Sequence, residues 1–456
     1  MLNAFGLSNF RSYQDATLHL APLTMLIGAN ASGKSNAIEG LRLLSWLAQG
    51  GRLYDLQRVI QDGNVLLRGR VQDIFMDVAY DVTFNIIINN SLHLNLCIKV
   101  NENGALHISY EELFELDKDN TRLPSYSGGT GSDKLDIGMV VEYNNYKRGG
   151  NKPKVSCSNQ YPVFNQLDSP ARFNHGHAKS KEIIPGMTAI VRSCLSDILF
   201  LDPVPGSMRG YSFKNEEKLL GDGKNLSSVL FHLWGGNKKA ETLTDQEKRN
   251  RDHVLTFIRS LPEQDIETLS FIETPRNEVM LQLRETFGEK GKDFDVTLLS
   301  DGTLRVLAIA AALLSVPEGG LVVIEEIDNG IHPSRAEGLM QHIAALAERR
   351  NLRVLLTSHN PAMLDALPDS AIPDVVFCYR DKDDGYSKLV RLQDVPDYPE
   401  LIARGNVGRL MTTGFMEQFV KFHPGSEEKK RKAREWLKKL RKKTSAIHEN
   451  HGQDLP

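Results

Sequence analysis

The sequence has few cysteines, and they are far apart. Its 456 residues include only Cys97, Cys157, Cys194 and Cys378, and no two of them form a C-x-x-C pair. This spacing argues against a disulfide framework and against a zinc site, and it favours a reducing compartment. We therefore expect a cytoplasmic protein whose core forms without covalent cross-links.

Long apolar runs and a strong net charge are also missing. No apolar run approaches the roughly 18 residues that a membrane-spanning helix needs, and the first residues lack a basic segment followed by an apolar core. These absences predict a protein that is neither secreted nor embedded in a membrane. A formal charge of -3 gives no overall attraction to nucleic acid. The remaining composition is that of an ordinary globular protein with two or three lobes.

What the sequence does contain is a glycine-rich pattern near its start. Residues 28–35 read G-A-N-A-S-G-K-S, follow the apolar run 23–27 and precede a helical pattern. A strand that turns through glycines into a helix directs backbone N–H groups and the positive end of the helix dipole at one concavity. The pattern predicts a P-loop for ATP, with Lys34 on the β- and γ-phosphates and Ser35 on Mg²⁺. The predicted nucleotide contacts in this loop are Asn30, Ala31, Ser32, Gly33, Lys34, Ser35 and Asn36.

Two acids end an apolar run in the C-terminal third. Residues 321–326 read L-V-V-I-E-E. Carboxylates at the end of a buried strand are costly without a cation, so Glu325 and Glu326 are expected beside Mg²⁺ and a water molecule. In isolation the pair could equally begin a surface loop, and the upstream P-loop favours the functional interpretation.

Two further motifs stand where anions and ligands bind. Residues 299–303 read L-S-D-G-T before a long apolar helical pattern, which puts Ser300 and Gly302 at a helix N-terminus. Residues 357–360 read T-S-H-N and follow the strand-like run 353–356, which puts His359 at the carboxyl end of a strand. Taken alone, the first motif is also compatible with a simple N-cap and the histidine with a structural role.

Periodicity divides the rest of the chain. Residues 73–115 alternate between apolar and polar and carry a hairpin signal at residues 103–104, which predicts an antiparallel meander. Residues 117–181 are rich in Gly, Ser, Asn and Pro and predict long loops with a weak hairpin. Helical spacing over residues 182–259 predicts an all-helical insert. The C-terminal third alternates helices with buried strands, so the fold class is α/β with a mixed sheet.

The order of these motifs resembles the ATP-binding cassette (ABC) superfamily. Within it, the chain resembles the soluble branch of chromosome-maintenance (SMC), RecF-like and OLD-like ATPases. Further matches are residues 9–13, N-F-R-S-Y, and residues 325–333, E-E-I-D-N-G-I-H-P. The resemblance implies an SMC/RecF-like P-loop ATPase head in two parts with an insert between them and a tail. The implied boundaries are 1–116 and 291–422 for the head, 117–290 for the loop-rich and helical insert, and 423–456 for the tail.

The resemblance also implies roles for the acids and the histidine. Glu325 supports the metal, Glu326 polarises the attacking water and His359 senses the γ-phosphate. The superfamily commonly has aspartate where this chain has Glu325, and one extra methylene can misplace a carboxylate enough to slow in-line attack. We therefore expect slow ATP hydrolysis, or ATP used as a structural switch.

Four residues extend the implied site. Ser300 and Gly302 contact the ATP of a second protomer in the superfamily, so an ATP-dependent head-to-head dimer or higher homo-oligomer is expected. Arg11, in the N-F-R-S-Y motif, joins the nucleotide contacts. Gln72 is the candidate for the glutamine that contacts Mg²⁺.

The tail carries the strongest local charge. Residues 429–443 read K-K-R-K-A-R-E-W-L-K-K-L-R-K-K, and Ala433, Trp436, Leu437 and Leu440 share one helical face. This pattern predicts a basic amphipathic helix. Its alternative uses are docking to a protein, binding a nucleic-acid backbone, lying on an anionic membrane, or simple solvation.

Some relatives carry a nuclease domain of the TOPRIM type, which needs a D-x-D motif. Residues 381–385, D-K-D-D-G, have that spacing, but they lie between two strand-like runs, so a hairpin turn and no built-in nuclease are predicted. An ATPase head without an effector resembles the ATPase subunit of two-component antiviral systems of the Septu or PARIS type. The resemblance implies a regulatory or scaffold subunit with a separate nuclease docked through the C-terminal region and no membrane partner. The alternatives are a RecF-like repair ATPase that clamps DNA, and a scaffold that binds ATP without hydrolysing it.

Overall fold

The computed structural model describes residues 1–61, 66–76, 79–129, 138–147, 149, 151–259, 266–287 and 290–422. The predicted basic helix at residues 429–443 lies outside this range. The strands are β1 (Leu2–Phe10), β2 (Tyr13–His19), β3 (Leu23–Ile27), β4 (Asp81–Ile88), β5 (Leu92–Val100), β6 (Leu106–Leu116), β7 (Arg122–Gly129), β8 (Gly138–Tyr143), β9 (Lys154–Ser158), β10 (Leu199–Leu201), β11 (Ser212–Phe213), β12 (Ile266–Glu273), β13 (Glu278–Phe287), β14 (Lys290–Asp295), β15 (Leu321–Ile324), β16 (Arg353–Thr357), β17 (Val376–Arg380) and β18 (Ser387–Arg391). The α-helices are α1 (Lys34–Ala48), α2 (Leu56–Gln61), α3 (Ala178–Ser196), α4 (Pro205–Met208), α5 (Leu226–Trp234), α6 (Asp245–Arg259), α7 (Asp301–Ser315), α8 (Ala336–Arg349), α9 (Pro361–Asp365), α10 (Tyr398–Ala403), α11 (Val407–Thr412) and α12 (Phe415–Phe422).

The first sheet, sheet A, is antiparallel. Its strand order is β2-β1-β4-β5-β6-β7-β8-β9. Along β4 and β5 buried apolar residues alternate with more exposed polar ones, because successive side chains of a strand point to opposite faces. The turn between β5 and β6 contains Gly104 with φ +78°. The predicted antiparallel meander is confirmed.

The prediction of long loops over residues 117–181 is wrong in part. β7, β8 and β9 lie there and extend sheet A, and Tyr126, Val141 and Tyr143 from these strands are buried in its core. Strands rich in glycine and serine carry a weak local signal, and here pairing with β6 supplies what local propensity lacks. Sheet A therefore crosses the boundary predicted at residue 116.

The prediction of an all-helical segment over residues 182–259 is also wrong in part. Four helices, α3, α4, α5 and α6, do occupy about half of it. Between them, however, β10 pairs in parallel with β15, and β11 pairs with β13. These strands have three and two residues, too few to show a period in the sequence.

The second sheet, sheet B, has the order β10-β15-β16-β3-β17-β18 and is parallel except for the antiparallel pair β17–β18. Both of its faces are covered. Leu26, Val323 and Leu355 pack toward α1 and sheet A, whereas Ile324 and Leu356 pack toward a core formed with α7 and α8. Strands buried on both faces need continuous apolar runs, which explains the sequence of β15. The predicted α/β fold class is confirmed.

The remaining elements cover the outer face of this second core. β11, β12, β13 and β14 form a third, small antiparallel sheet beside α5 and α6.

Residues 381–385 form the turn between β17 and β18, as predicted, with Asp381 Oδ1 accepting the N–H of Asp383 at 2.8 Å. Among the described residues, none of the helices is long and apolar enough to span a bilayer.

Candidate nucleotide-binding site

Three neighbouring strands of sheet B end at the segments that the sequence singles out. β3 leads into the P-loop, β16 into His359, and β15 into Glu325 and Glu326. The three strands are parallel and lie in the order β15-β16-β3, so their carboxyl ends meet at one edge of the sheet. This edge is where open α/β sheets bind ligands.

The P-loop connects β3 to α1 through a backbone that favours glycine. Gly28 and Gly33 have φ values of +150° and +121°, and Ala31 between them has φ +62°. The helix begins directly afterwards, at Lys34. Its first turn leaves backbone N–H groups without partners inside the helix, and the helix dipole adds positive charge there. This end of α1 therefore suits an anion.

The side chains of the loop fit nucleotide phosphates and their metal. Lys34 Nζ donates to the carbonyls of Gly28 at 2.6 Å and Ala29 at 3.1 Å, and burial lowers the pKa of its ammonium group. The Ser32 hydroxyl oxygen is buried and has no hydrogen-bond partner among the residues that the structure describes. Ser35 is exposed at the start of the helix. A cation, hydroxyls and helix N–H groups are the donors that a triphosphate requires.

Glu326 is held in a defined position at the end of β15. Its N–H donates to Thr357 Oγ1 at 2.9 Å, and one carboxylate oxygen accepts from Asn329 Nδ2 at 2.6 Å. Its φ is +50°, a conformation that is strained for a glutamate. Such strain is typical of functional positions. His359, two residues beyond Thr357, has an exposed side chain at the same edge.

Glu325 is held by a partner that sequence reasoning did not find. Arg42, in the second turn after the P-loop, pairs with Glu325 Oε1 at 2.6 Å. The guanidinium of Arg42 also lies 4.7 Å from the centre of the Phe200 ring. Both side chains of the ion pair are mostly buried, so the interaction is screened less than a surface pair. Arg42 therefore fixes the carboxylate that is predicted to support the metal.

Asp202 is a second residue that sequence reasoning missed. Leu201 pairs with Ile324 in the parallel register of β10 and β15, so Asp202 and Glu325 follow neighbouring strand ends. Burial, with the negative charges of Glu325 and Glu326 adding to it, raises the pKa of Asp202. The motif F-L-D-P at residues 200–203 contains this acid, but only the pairing of β10 brings it to the edge.

No group of three metal-binding side chains converges within the described part of the chain. Magnesium usually takes one or two protein ligands and completes its shell with phosphate oxygens and water. Ser35, Glu325 and Asp202 offer the oxygen ligands that such a site needs. The donor set therefore fits Mg²⁺ that arrives with a nucleotide.

Ser300 and Gly302 lie at the N-terminus of α7, as expected. Ser300 Oγ accepts the N–H of Thr303 at 3.1 Å, which makes it the N-cap. A Cβ on Gly302 would lie 2.6 Å from the Gly330 carbonyl oxygen, so the helix start packs directly on the loop after Glu326. The predicted contact with the ATP of a second protomer stays a prediction.

Arg11 and Gln72 lie beside the P-loop helix but have other partners. Arg11 pairs with Glu39 of α1 at 2.6 Å and donates to the Arg68 carbonyl at 2.6 Å. Gln72 is exposed in a short 3₁₀ helix and lines a surface cavity with residues of α2, such as Gln57. Both residues remain predicted contacts, and the structure gives Arg11 an additional structural role.

Two family models match this chain. Residues 1–49, from β1 to α1, match an AAA ATPase domain. Residues 198–365, from β10 to α9, match the family described as "AAA domain, putative AbiEii toxin, Type IV TA system". The chain has the mixed α/β fold of a P-loop ATPase of the AAA type. The two matched segments of this ATPase fold contain the P-loop and the acidic strand ends, and the second segment includes Asp202.

Curated relatives match over a short stretch only. The chain is 33% identical over 88 residues to the DNA replication and repair protein RecF of Limosilactobacillus reuteri strain DSM 20016, and equally to that of subspecies reuteri strain JCM 1112. The match covers 19% of this chain and 23% of the RecF chain. The chain thus aligns with about a quarter of the length of these relatives.

Solved SMC heads are similar over most of their length at low identity. An SMC head bound to the C-terminal winged-helix domain of ScpA aligns with a TM-score of 0.45 at 12% identity, over 85% of this chain and 96% of that chain. The SMC head domain from Thermotoga maritima aligns with a TM-score of 0.36 at 11% identity, over 86% of this chain and 98% of that chain.

Proposed function

We propose that this chain binds ATP with Mg²⁺ at the carboxyl edge of sheet B and hydrolyses it slowly. The observation that carries the proposal is the convergence of the P-loop, Glu325 and Glu326, and His359 on three adjacent strand ends. The folding of a sheet edge does not require a buried lysine at a glycine-rich turn together with acids at the neighbouring strand ends. A nucleotide triphosphate with its metal uses all of them.

Each residue has a distinct task in this proposal. Lys34 binds and orients the phosphates, and Ser35 and Glu325 hold the metal. Bound Mg²⁺ neutralises charge on the phosphate oxygens. Glu326 orients the attacking water and accepts its proton, and the hydrogen bond from Asn329 fixes the direction of the Glu326 carboxylate.

The contact between Arg42 and Glu325 supports slow turnover. One carboxylate oxygen of Glu325 already accepts a hydrogen bond from the Arg42 guanidinium, so the same carboxylate has to interact with both Arg42 and Mg²⁺. Competition of this kind weakens the support that Glu325 gives to a metal. Slow hydrolysis suits an ATPase whose nucleotide state acts as a timer or switch.

We infer further that the head is the regulatory or scaffold subunit of a two-component antiviral complex and controls a separate nuclease. The position of Asp381 and Asp383 in a hairpin turn supports an effector on another chain. The description of one matched family, which names a toxin of a TA system, supports a role as one component of a larger system. The predicted basic helix of the tail is the proposed docking element.

Two measurements test this function. ATP binding and turnover by the full-length chain should both be lost in Lys34→Ala, while the far-UV circular dichroism spectrum shows that the variant still folds. Full-length protein and a version ending at His423 should then be purified from the native operon and their bound proteins identified by mass spectrometry. A nuclease retained by the full-length chain alone supports the inference, whereas bound DNA without a protein partner refutes it.

The second candidate function is a RecF-like ATPase that clamps DNA in its ATP-bound state. The 33% identity to RecF over 88 residues is the observation that favours it. This function requires salt-dependent DNA binding by the isolated protein, strengthened by ATP. Fluorescence anisotropy with duplex DNA at several salt concentrations, with and without ATP, separates the two candidates.

A further inference from the structure

Three successive carbonyls of the P-loop accept hydrogen bonds from side chains outside the loop. All of the donors except Arg380 belong to residues that are fully buried. The acceptor and donor pairs are Ala31 with Arg380 Nε (3.2 Å), Ser32 with Ser387 Oγ (2.5 Å) and Cys378 Sγ (3.3 Å), and Gly33 with Tyr13 Oη (3.0 Å).

Most of these donors come from the hairpin β17–β18, which the sequence does not connect with the P-loop. β17 pairs with β3, and the N–H of Ser387 donates to the Ser12 carbonyl at 2.7 Å, so the hairpin is fixed on two sides of the loop. The Tyr13 hydroxyl also lies 3.3 Å from Cys378 Sγ, which joins the donors into one network. The hairpin lies outside both segments that match family models, which end at residues 49 and 365.

The same hairpin explains why the two loop positions are glycine. A Cβ on Gly28 would lie 2.1 Å from the Cys378 carbonyl oxygen, and a Cβ on Gly33 would lie 2.4 Å from Ser387 Oγ. Backbone conformation and close approach therefore demand glycine together. The hairpin and the loop form one packed unit.

A peptide group whose carbonyl is bonded on one side has its N–H directed to the other. With three successive carbonyls tied to the hairpin and Tyr13, rotation of these peptide planes is restrained. The N–H of Ser32 in the first plane donates to the Ala29 carbonyl at 3.2 Å, so the planes that bear on an anion are the two that carry the N–H groups of Gly33 and Lys34. Preorganised N–H dipoles bind anions better than dipoles that must reorganise on binding. The hydrogen bonds behind the loop thus act on the phosphate side of it.

We propose that Tyr13, Cys378 and Ser387 are positioning residues that hold the P-loop in its phosphate-binding conformation. The proposal rests on the proposed nucleotide binding and extends it to residues that do not touch the phosphates. The proposal adds the β17–β18 hairpin to the site as a support for the P-loop. Loss of the Tyr13, Cys378 or Ser387 side chain should weaken phosphate binding without removing a direct contact to the phosphates.

The test is isothermal titration of the full-length protein with MgATP and with inorganic tripolyphosphate, for Tyr13→Phe and Ser387→Ala. Each variant removes the side-chain hydrogen bond to one P-loop carbonyl, together with one contact outside the loop, to Cys378 for Tyr13 and to Ser12 for Ser387. We expect a loss of affinity of about 5- to 10-fold for both ligands. Cys378→Ala should behave similarly, and Cys378→Ser, which keeps a donor, should restore most of the affinity. The serine variant also serves if the alanine variant does not fold.

Matched controls come from sheet A and its neighbours. Tyr126→Phe, Ser180→Ala and Cys157→Ala each change a buried residue of the same type away from the P-loop. These variants should lower the free energy of unfolding but leave both affinities within about twofold, since they touch no part of the loop.

The outcomes separate the two proposals. Wild-type affinity in Tyr13→Phe and Ser387→Ala, beside wild-type protein that binds both ligands, overturns the positioning role alone. Equal losses in the controls also overturn it, because the effect would then follow general stability. A wild-type protein that binds neither ligand overturns the proposed nucleotide binding and the positioning role with it.

Discussion

Sheet A and sheet B both contain largely buried acids, but the two sheets satisfy them differently. In sheet A, Glu111 has no exposed surface, and its carboxylate accepts from the Tyr126 hydroxyl at 2.6 Å and from the N–H groups of Val163 and Phe164 at 2.7 and 3.0 Å. In sheet B, the Glu325 side chain is 27% exposed, and Arg42 bonds one of its oxygens. An acid with every direction occupied is structural, whereas an acid at a strand end with an oxygen toward solvent is available to a ligand.

The largest difference between acids of the two sheets is expected in ATP turnover, when Glu326 at the edge of sheet B is changed to glutamine. Glutamine keeps the size of the side chain but cannot accept a proton, so ATP turnover should fall by about 100-fold or more while ATP affinity stays within about twofold. Steady-state turnover and titration calorimetry measure the two quantities. Glu115→Gln, an exposed acid on β6, is the control. Unchanged turnover in Glu326→Gln contradicts the catalytic role, whereas ATP binding without turnover in the wild-type protein favours a scaffold.

The next largest expected effect is a pH dependence of the free energy of unfolding, and it comes from sheet A. Burial raises the pKa of Glu111 from 4.5 to about 7 in the folded chain. Below about pH 4.5 Glu111 is protonated in both the folded and the unfolded chain, and its contribution to the free energy of unfolding is fully present. Between pH 4.5 and 7 the unfolded chain loses this proton while the folded chain keeps it, which favours unfolding. The free energy of unfolding should therefore decline by about 3 kcal/mol as the pH rises through this window. Urea unfolding at several pH values measures the slope.

Glu111→Gln is the variant that checks this assignment. It should flatten the pH slope and lower stability below about pH 4.5, because one N–H of the Val163–Phe164 turn then faces an amide N–H₂ group. Above pH 7 this loss is offset, because the amide carries no buried charge. Turnover at pH 7 should not change in the folded fraction. A slope that persists in the variant would assign the pH dependence to another group.

A smaller effect is expected from Glu325→Asp. The superfamily that the sequence resembles commonly has aspartate at this position, but here Arg42 reaches a glutamate of this length, and the shorter side chain would lose that contact. Turnover in Glu325→Asp should fall by about 10-fold, because the loss of the contact that orients the carboxylate slows in-line attack by more than relief from competition with the guanidinium speeds it. Arg42→Lys should cause a smaller fall. Double-mutant kinetics on Arg42 and Glu325 measure the coupling. Faster turnover in Glu325→Asp would identify the glutamate itself as the brake.

The smallest effect is expected at the N-cap of α7. Ser300→Ala should lower the free energy of unfolding by about 1 kcal/mol, since the Thr303 N–H loses its acceptor. If Ser300 also contacts the ATP of a second protomer, the variant should bind ATP normally as a monomer but lose ATP-dependent dimers. Analytical ultracentrifugation with and without ATP checks this. Dimers of wild-type strength in the variant would remove Ser300 from the composite site.

Local signals predicted one part of the fold well and another part poorly. The P-loop, the buried strand β15 and the helix α7 are long or distinctive enough to be read from periodicity and glycine spacing. β7 to β9 and β10 were missed, because glycine-rich or three-residue strands exist only through pairing with a neighbour. The acids of β15 were predicted, but Asp202 required the register of β10 on β15.

The sequence by itself determined the local chemistry of this protein. Glycines, a lysine and a serine at fixed spacing predict a phosphate-binding turn, and apolar runs that end in polar residues predict the edge of a sheet at which a ligand binds. Only the tertiary structure decided which distant residues support that chemistry. Arg42 and Glu325 are 283 residues apart, and Ser32 and Cys378 are 346 apart. No periodicity connects such pairs, because their contact depends on how β3, β15 and β17 pair within one sheet.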